Sequence, residues 1–167
     1  DTLNALSQFV TTGYRRKTAI TENVDITFYD AGHILGSALV RFDIHENGKD
    51  ISLCYTGDLG RPGRPILRDP EFVGDVDYLI TESTYGGRVH IQHKETLDYL
   101  EEVIDNAVKR NGKIIVPAFS VGRTQELVYD LHMLREQNRL PYIPIYVDSP
   151  LSVNATQVFR LHPECMD

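Results

Sequence analysis

The chain has 167 residues, of which 41% are hydrophobic and 25% charged, and its formal net charge is −7. This composition is typical of a globular protein, and no apolar run approaches the roughly 20 residues that a membrane-spanning helix needs. The acidic balance argues against a surface that binds polyanions over its whole extent, but it is compatible with a locally basic groove.

The two ends and the two cysteines give a first idea of the setting. The chain starts at Asp1 without a methionine and stops at "HPECMD", so we expect an excised piece of a longer protein. Cys54 and Cys165 are far apart and form no metal-binding spacing, which predicts reduced thiols in a cytoplasmic protein.

The first half of the chain has the pattern of a β-sheet. Apolar residues alternate in "VDITFYD", "SALVRFDIH" and "ISLCYTG", with the period of two expected of half-buried strands. Asn47 and Gly48 suit a tight turn with positive φ, so residues 37–56 are predicted to form a hairpin. The near-continuous apolar run "VDYLITEST" is typical of a strand buried on both faces.

The second half alternates helical and strand patterns. Helices are predicted over residues 93–110 and 120–137 and from Leu151, because apolar residues recur there at helical spacing. The runs "KIIVPAF" and "IPIYVDSP" are typical of short buried strands. This alternation predicts an α/β fold with a parallel sheet, and the change of pattern near Gly86 and Gly87 marks the expected domain boundary.

Three polar residues follow predicted strands: His33 after "ITFYDAG", Asp58 after "LCYTG" and Glu82 after "DYLIT". If these strands are neighbours in one sheet, an imidazole and two carboxylates converge on a common rim. Such a set fits zinc or a similar divalent metal, with His33 and Asp58 as ligands and Glu82 orienting a ligand or a water. The alternatives are a structural histidine and turn-forming carboxylates.

Other polar residues stand where strands end or helices begin, and each has a structural alternative. The candidates for contact with a substrate phosphate are Ser83, Thr84, Ser120, Arg123 and Ser149. A helix N-terminus flanked by an arginine can receive a phosphate. Ser120 and Ser149 are equally candidates for helix N-caps, and Arg123 for an ion pair with Glu126.

Two further groups are expected to be structural. Arg61, Arg64 and Arg68, in a loop rich in proline and glycine, are predicted to form a solvated face. His90 and His93 stand at a helix entrance, where loop or capping roles are favoured over metal binding.

The stretches "DAGHILGSA", "YTGDLGR", "ESTYG", "PAFSVGRTQE" and "VDSPLS", in this order, resemble the metallo-β-lactamase-fold nucleases of the β-CASP family. That family includes ribonuclease J and the endonuclease subunit of the polyadenylation machinery. The resemblance spans about residues 25–155. It implies the C-terminal part of a metallo-β-lactamase αββα sandwich over residues 1–86, followed by the first half of a Rossmann-like, parallel-sheet β-CASP domain over residues 87–167.

The resemblance also implies roles for the rim residues. His33 would be a zinc ligand, Asp58 would bridge two zinc ions, and Glu82 would support an active-site histidine near the scissile phosphate. The implied reaction is hydrolysis of RNA by a hydroxide that two metal ions activate. RNA is the implied substrate, with DNA less favoured, and the implied partners are further copies of the chain or subunits of a processing complex.

Several family motifs are missing from this sequence, among them the HxHxDH motif and the later histidines that complete the metal site. Two ligands do not hold zinc tightly, so the chain alone is predicted to be inactive and to rely on self-association or a partner. The rival functions are a catalytically inactive scaffold subunit, a small-molecule hydrolase of the same fold, and a DNA-repair nuclease.

Overall fold

A five-stranded sheet forms the first half of the chain in the computed structural model, which describes residues 2–90 and 93–166. The strands lie in chain order and pair antiparallel, except that the last runs parallel to its neighbour. They are β1 Thr18–Thr21, β2 Val24–Asp30, β3 Ala38–Glu46, β4 Lys49–Tyr55 and β5 Tyr78–Ile80. A short exposed helix, α1, spans Thr2–Leu6.

The hairpin predicted over residues 37–56 is confirmed. Glu46 pairs with Lys49, and the two turn residues Asn47 and Gly48 have φ of 51° and 74°. Positive φ at both central positions gives the turn a twist that matches the twist of the flanking strands. The turn therefore fixes which residues of β3 and β4 lie opposite each other.

The two faces of the sheet are covered differently. On one face Leu39 and Cys54 are buried together with Ala31, and Tyr29, Val73 and Val76 pack against them. The other face carries half-buried apolar side chains that lie opposite one another in register: Val24, Ile26, Phe28, Val40, Phe42, Ile44, Ile51 and Leu53. The buried core thus lies on the side of the long loop between β4 and β5.

Strand β5 differs from its prediction. The run "VDYLITEST" was expected to be buried on both faces, but Tyr78, Leu79 and Ile80 are 61%, 59% and 52% exposed. The strand is at the edge of the described sheet and pairs only with β4, so one side of it has no neighbour. The parallel pairing nevertheless brings the ends of β4 and β5 side by side.

The three predicted helices are confirmed. They are α2 His93–Lys109, α3 Arg123–Glu136 and α4 Pro150–Leu161, and a turn of 3-10 helix follows at Pro163–Cys165. Each buries part of its apolar stripe, with Ile104, Leu134 and Phe159 at most 5% exposed. Helix α3 packs against both α2 and α4. Among the described residues no helix has the length and apolarity to cross a membrane.

The parallel sheet predicted for the second half is wrong for this structure. Residues 113–119 and 143–149 form no strand, and Ile115 and Tyr146 are 91% and 83% exposed. A β-strand needs a hydrogen-bonded neighbour, and a stable sheet needs several strands over an apolar layer. Among the described residues these two segments do not pair with each other. Their alternating apolar residues are therefore not accompanied by a ladder of backbone hydrogen bonds.

Asp77 ties β5 to β4. Its Oδ2 accepts hydrogen bonds from the backbone N–H of Ser52 at 2.7 Å and from the Ser52 hydroxyl at 2.8 Å. The bond from the backbone, as the larger cause, and the bond from the hydroxyl hold the pKa of the Asp77 carboxyl below its ordinary value of 3.8. The charged form is therefore stabilised in the folded chain, and protonation weakens the junction.

We expect a pH-dependent contribution of Asp77 to stability. Because its folded pKa is lowered, the contribution is complete above pH 3.8 and is lost as pH falls through the lowered pKa. The difference in unfolding free energy between the wild type and Asp77→Asn, measured by urea titration, should shrink as the solution is acidified below that value. Ser52→Ala removes the hydroxyl donor and keeps the backbone N–H, so its unfolding free energy should differ less from that of the wild type than the value for Asp77→Asn does. A difference independent of pH would contradict the assignment.

Candidate active site

His33 lies in a tight loop between β2 and β3. The Ser37 hydroxyl accepts hydrogen bonds from the backbone N–H groups of His33 at 3.1 Å and Ile34 at 3.2 Å. Buried Asp30 accepts from the Gly32 N–H at 2.8 Å through Oδ1, and its burial raises the pKa of that carboxyl. The loop is therefore shaped by its own polar side chains, and the imidazole of His33 is left at the surface.

Two glycines let this loop meet the loop after β4. A Cβ on Gly60 would lie 1.9 Å from the carbonyl oxygen of Gly32 and 2.7 Å from the backbone nitrogen of His33. Gly32 has φ of +60°, and a Cβ there would lie 2.7 Å from the carbonyl oxygen of Arg68. The Gly60 N–H donates to the Ala31 carbonyl at 2.8 Å. Glycine at positions 32 and 60 therefore permits a close approach of the two backbones beside His33.

The close approach places His33 beside Asp58. His33 Nε2 lies 3.9 Å from Asp58 Oδ2, and the two side chains are 41% and 80% exposed. Zinc binds imidazole nitrogen at about 2.0–2.1 Å and carboxylate oxygen at about 2.0–2.2 Å. The separation is thus short enough for both atoms to coordinate one ion, and the donor types suit zinc.

Glu82 holds the loop that carries Asp58. Its Oε1 accepts a hydrogen bond from the Leu59 N–H at 2.7 Å. That bond and the hydroxyl of Thr84 lower the pKa of the Glu82 carboxyl. At the same rim the Thr56 N–H donates to the Ile80 carbonyl at 3.0 Å, which joins the ends of β4 and β5. Glu82 consequently contacts the Asp58 loop through the backbone and leaves both rim donors, His33 and Asp58, exposed.

The predicted phosphate-contacting residues fall into two groups. Ser83 and Thr84 follow Glu82 and are exposed. Ser120 and Ser149 adjoin each other, with their hydroxyl oxygens 3.4 Å apart. The α3 entrance that carries Arg123 touches the His33 loop, since a Cβ on Gly122 would lie 3.3 Å from Ile34 Cγ2.

The capping alternatives are decided by the structure. Ser149 is the N-cap of α4, and its hydroxyl accepts from the Ser152 N–H at 3.2 Å. Ser120 is not a cap: the N-cap of α3 is Gly122, which has no side chain to offer. Gly122 can take φ of +83°, so the turn into α3 starts two residues later than the serine pattern predicts.

Arg61, Arg64 and Arg68, in the loop after β4, were predicted to form a solvated face. Arg64 has only 19% of its side chain exposed and pairs with Glu126 of α3, which also pairs with Arg123 at 3.1 Å. The solvated face is therefore wrong for Arg64. Arg64, Arg123 and Glu126 thus form an arginine cluster around one carboxylate. Local sequence patterns do not predict this cluster, because Arg64 and Glu126 are 62 positions apart.

The remaining histidines stay outside the candidate site. His93 Nε2 lies 3.2 Å from Asp130 Oδ1, and the ring of His90 packs edge-on against Tyr85 with centroids 5.1 Å apart. Within residues 2–90 and 93–166 no three His, Cys, Asp or Glu side chains come together as metal ligands would. His33 and Asp58 are consequently a pair of donors and not a complete set.

Comparison with known proteins identifies relatives of the chain. It is 36% identical over 140 residues to a ribonuclease of Thermus thermophilus, covering 84% of this chain and 30% of the relative. It is 36% identical over 162 residues to an RNase J-like protein of Methanocaldococcus jannaschii, covering 95% and 37%. A cleavage and polyadenylation specificity factor subunit 3 of Dictyostelium discoideum is 34% identical over 156 residues, covering 92% and 20%.

These matches agree with the resemblance carried by the five motifs. The chain spans between a fifth and two fifths of the length of these relatives. Residues 124–167 match the family model described as the Beta-Casp domain. The predicted family is confirmed: the chain belongs to the β-CASP family of metallo-β-lactamase-fold nucleases.

Proposed function

We propose that the whole protein hydrolyses phosphodiester bonds of RNA with the help of bound zinc, and that this chain supplies part of the active site. The observation that carries the proposal is the 3.9 Å approach of His33 Nε2 to Asp58 Oδ2 on a rim held by backbone contacts. Relatives named as a ribonuclease and an RNase J-like protein support RNA as the substrate in preference to DNA.

The proposed domain arrangement follows the two halves of the structure. Residues 1–86 would belong to a metallo-β-lactamase domain, and the sheet of β1–β5 supports this half. Residues 87–167 would belong to the β-CASP domain, which is supported by α2–α4 and by the family match over residues 124–167. The loops that carry His33 and Asp58 then lie where the two domains face each other.

His33 and Asp58 would hold the metal through an imidazole nitrogen and a carboxylate oxygen. The chemistry that bound zinc supplies is activation of water near neutral pH and polarisation of the phosphoryl group. The two side chains are exposed, so both are accessible to an ion and to a substrate. Glu82 is the positioning residue, because it binds the backbone of the Asp58 loop through Leu59.

The other polar residues of the site would bind and orient the substrate. Ser83 and Thr84 follow Glu82 directly and are exposed, which suits contact with the scissile phosphate or its neighbours. Ser120 and Ser149 lie side by side at the turns into α3 and α4. Arg123 supplies a charged donor at the same entrance, with 62% of its side chain exposed.

The chain alone would not hydrolyse RNA. A catalytic zinc site takes three protein ligands as a rule, and His33 and Asp58 are two. The apolar sheet face of β2–β4, half-buried in this structure, supports dependence on further copies or on partner subunits. Both cysteines are free, which suits the reducing cytoplasm.

The proposal is tested by incubating the whole protein with labelled single-stranded RNA and with DNA of the same sequence. We expect cleavage of the RNA, loss of cleavage after chelation by EDTA, and recovery when zinc is returned. Absence of cleavage with either zinc or manganese would favour the inactive scaffold. Cleavage of the DNA in preference to the RNA would favour the repair nuclease.

A further inference from the structure

A cavity of about 390 Å³ lies next to the candidate active site. It is lined by Arg61, Pro62, Gly63, Arg64, His90, His93 and Lys94. It is formed where the loop after β4 faces the entrance of α2. Its volume is within the range of pockets that bind small ligands or groups of a larger one. In a chain of net charge −7 its lining carries three permanently cationic side chains and no carboxylate.

Arginines outnumber carboxylates around this cavity. Glu126 pairs with both Arg64 and Arg123, so one carboxylate serves two guanidinium groups. None of the ion pairs among the described residues includes Arg61. Burial, together with the like charges of Arg64 and Arg123, lowers the pKa of the Arg61 guanidinium. A third positive charge is thus held near two others without a carboxylate of its own, a condition that a bound anion relieves.

A second acidic side chain of α3, Asp130, is also engaged. Asp130 is 7% exposed, and its Oδ1 faces His93 Nε2 at 3.2 Å. Burial raises the pKa of the Asp130 carboxyl, while His93 opposes this effect. Asp130 therefore pairs with His93 and supplies no carboxylate partner to Arg61.

The cavity is within reach of the reacting centre. Arg61 follows Asp58 by three positions, so their Cα atoms are at most about 11 Å apart. Tyr85, 55% exposed, packs against His90 of the lining with ring centroids 5.1 Å apart, so an aromatic ring lies beside the cavity. Cationic grooves with aromatic rings beside them are the usual means of holding single-stranded nucleic acid.

We propose that this cavity binds a backbone phosphate of single-stranded RNA next to the cleaved bond. Arg61 would be a donor from its lining, and Arg123, which shares Glu126 with the lining residue Arg64, a donor at its margin. This inference rests on the proposed RNA hydrolysis and names a binding site for the same substrate. The planar guanidinium of Arg61 contacts the phosphate oxygens, and Arg123 exchanges part of its pairing with Glu126 for the phosphate. Lys94 adds a point charge from the α2 side, and Tyr85 stacks on the adjacent base.

The site is tested by the affinity of the whole protein for a labelled oligouridylate of about twelve nucleotides, a length within the span of single-strand grooves. Fluorescence anisotropy is recorded with EDTA present, so that the RNA stays intact, at several salt concentrations. Arg61→Gln and Arg123→Gln should each weaken binding about five- to tenfold. Each should also reduce the slope of log affinity against log salt by about 0.7.

Two control variants separate phosphate binding from a structural effect. Arg16→Gln removes the same charge from an exposed site two residues before β1, and it should change neither affinity nor slope. Arg61→Lys keeps the charge and should keep most of the salt slope, whereas a merely structural role would not distinguish lysine from glutamine by slope. Thermal unfolding of each variant confirms that the comparison is between folded proteins.

The outcomes also separate this site from the proposed reaction. RNA cleavage together with unchanged binding by Arg61→Gln and Arg123→Gln would overturn the phosphate site and leave the reaction standing. Weakened, less salt-dependent binding by both variants supports the site, even where the whole protein cleaves no RNA. Equal losses of affinity in Arg16→Gln and Arg61→Gln would overturn the site, since only overall charge would then matter.

Discussion

Gly60→Ala is expected to destabilise the fold by at least about 3 kcal/mol and to disrupt the candidate site. The added Cβ would lie 1.9 Å from the Gly32 carbonyl oxygen and 2.2 Å from its carbonyl carbon. Both atoms belong to the backbone, so no side-chain rotation relieves the overlap. One of the two loops must move, and the hydrogen bond from the Gly60 N–H to the Ala31 carbonyl is then lost.

The unfolding free energy from urea titration measures this effect, and two other glycines provide a graded control. Gly13→Ala meets no atom within 4 Å and should change stability little. Gly36→Ala also meets open space but has φ of +84°, so it should cost about 1–2 kcal/mol through backbone strain alone. If Gly60→Ala were no worse than Gly36→Ala, the close contact of the two loops would not be present in solution.

His33→Ala and Asp58→Asn are each expected to lower kcat/KM of the whole protein for RNA at least about a thousandfold. Either change removes a donor from the proposed metal, whose charge stabilisation amounts to several kcal/mol in the reaction. Stability should change by no more than about 0.5 kcal/mol, since the two side chains are 41% and 80% exposed. Large kinetic effects without unfolding would distinguish functional donors from a structural pair.

A matched pair of the same residue types lies at the other end of the hairpin. His45 Nδ1 and Asp50 Oδ1 are 2.7 Å apart on β3 and β4, and both side chains are exposed. His45→Ala and Asp50→Asn should therefore leave RNA hydrolysis unchanged. Bound zinc, measured on protein dialysed against metal-free buffer, should fall in the first pair of variants and not in the second. Retention of zinc and activity by His33→Ala would remove it from the proposed site.

Local patterns predicted the hairpin and the three helices because their signals lie within short stretches. Asn47 and Gly48 specify a tight turn by themselves, and the apolar stripes that bury Ile104 and Leu134 repeat every three to four residues. The approach of His33 to Asp58 was also within reach of the sequence. Each follows a strand of one sheet, and because β2 and β4 both pair antiparallel with β3, they end at the same edge of that sheet.

What the sequence did not predict depends on distant residues. The runs around Ile115 and Tyr146 have strand patterns, but a pattern does not provide the neighbouring strand that a ladder requires. The arginine cluster joins Arg64 to Glu126 across 62 positions. This ion pair forms only because the fold brings the loop after β4 against α3, which no local pattern specifies. Ser120 is not the cap because α3 begins at Arg123, after a turn at Gly122 whose φ of +83° glycine adopts more readily than other residues.

The contact between Gly32 and Gly60 has a practical consequence for engineering. The positions of residues 33 and 58 are fixed by backbone-to-backbone contacts, while their side chains project into solvent. Different donor side chains can therefore be installed at these two positions without rebuilding a packed core around them. The choice of donors at the proposed metal site can in this way be changed separately from the side chains that pack the sheet.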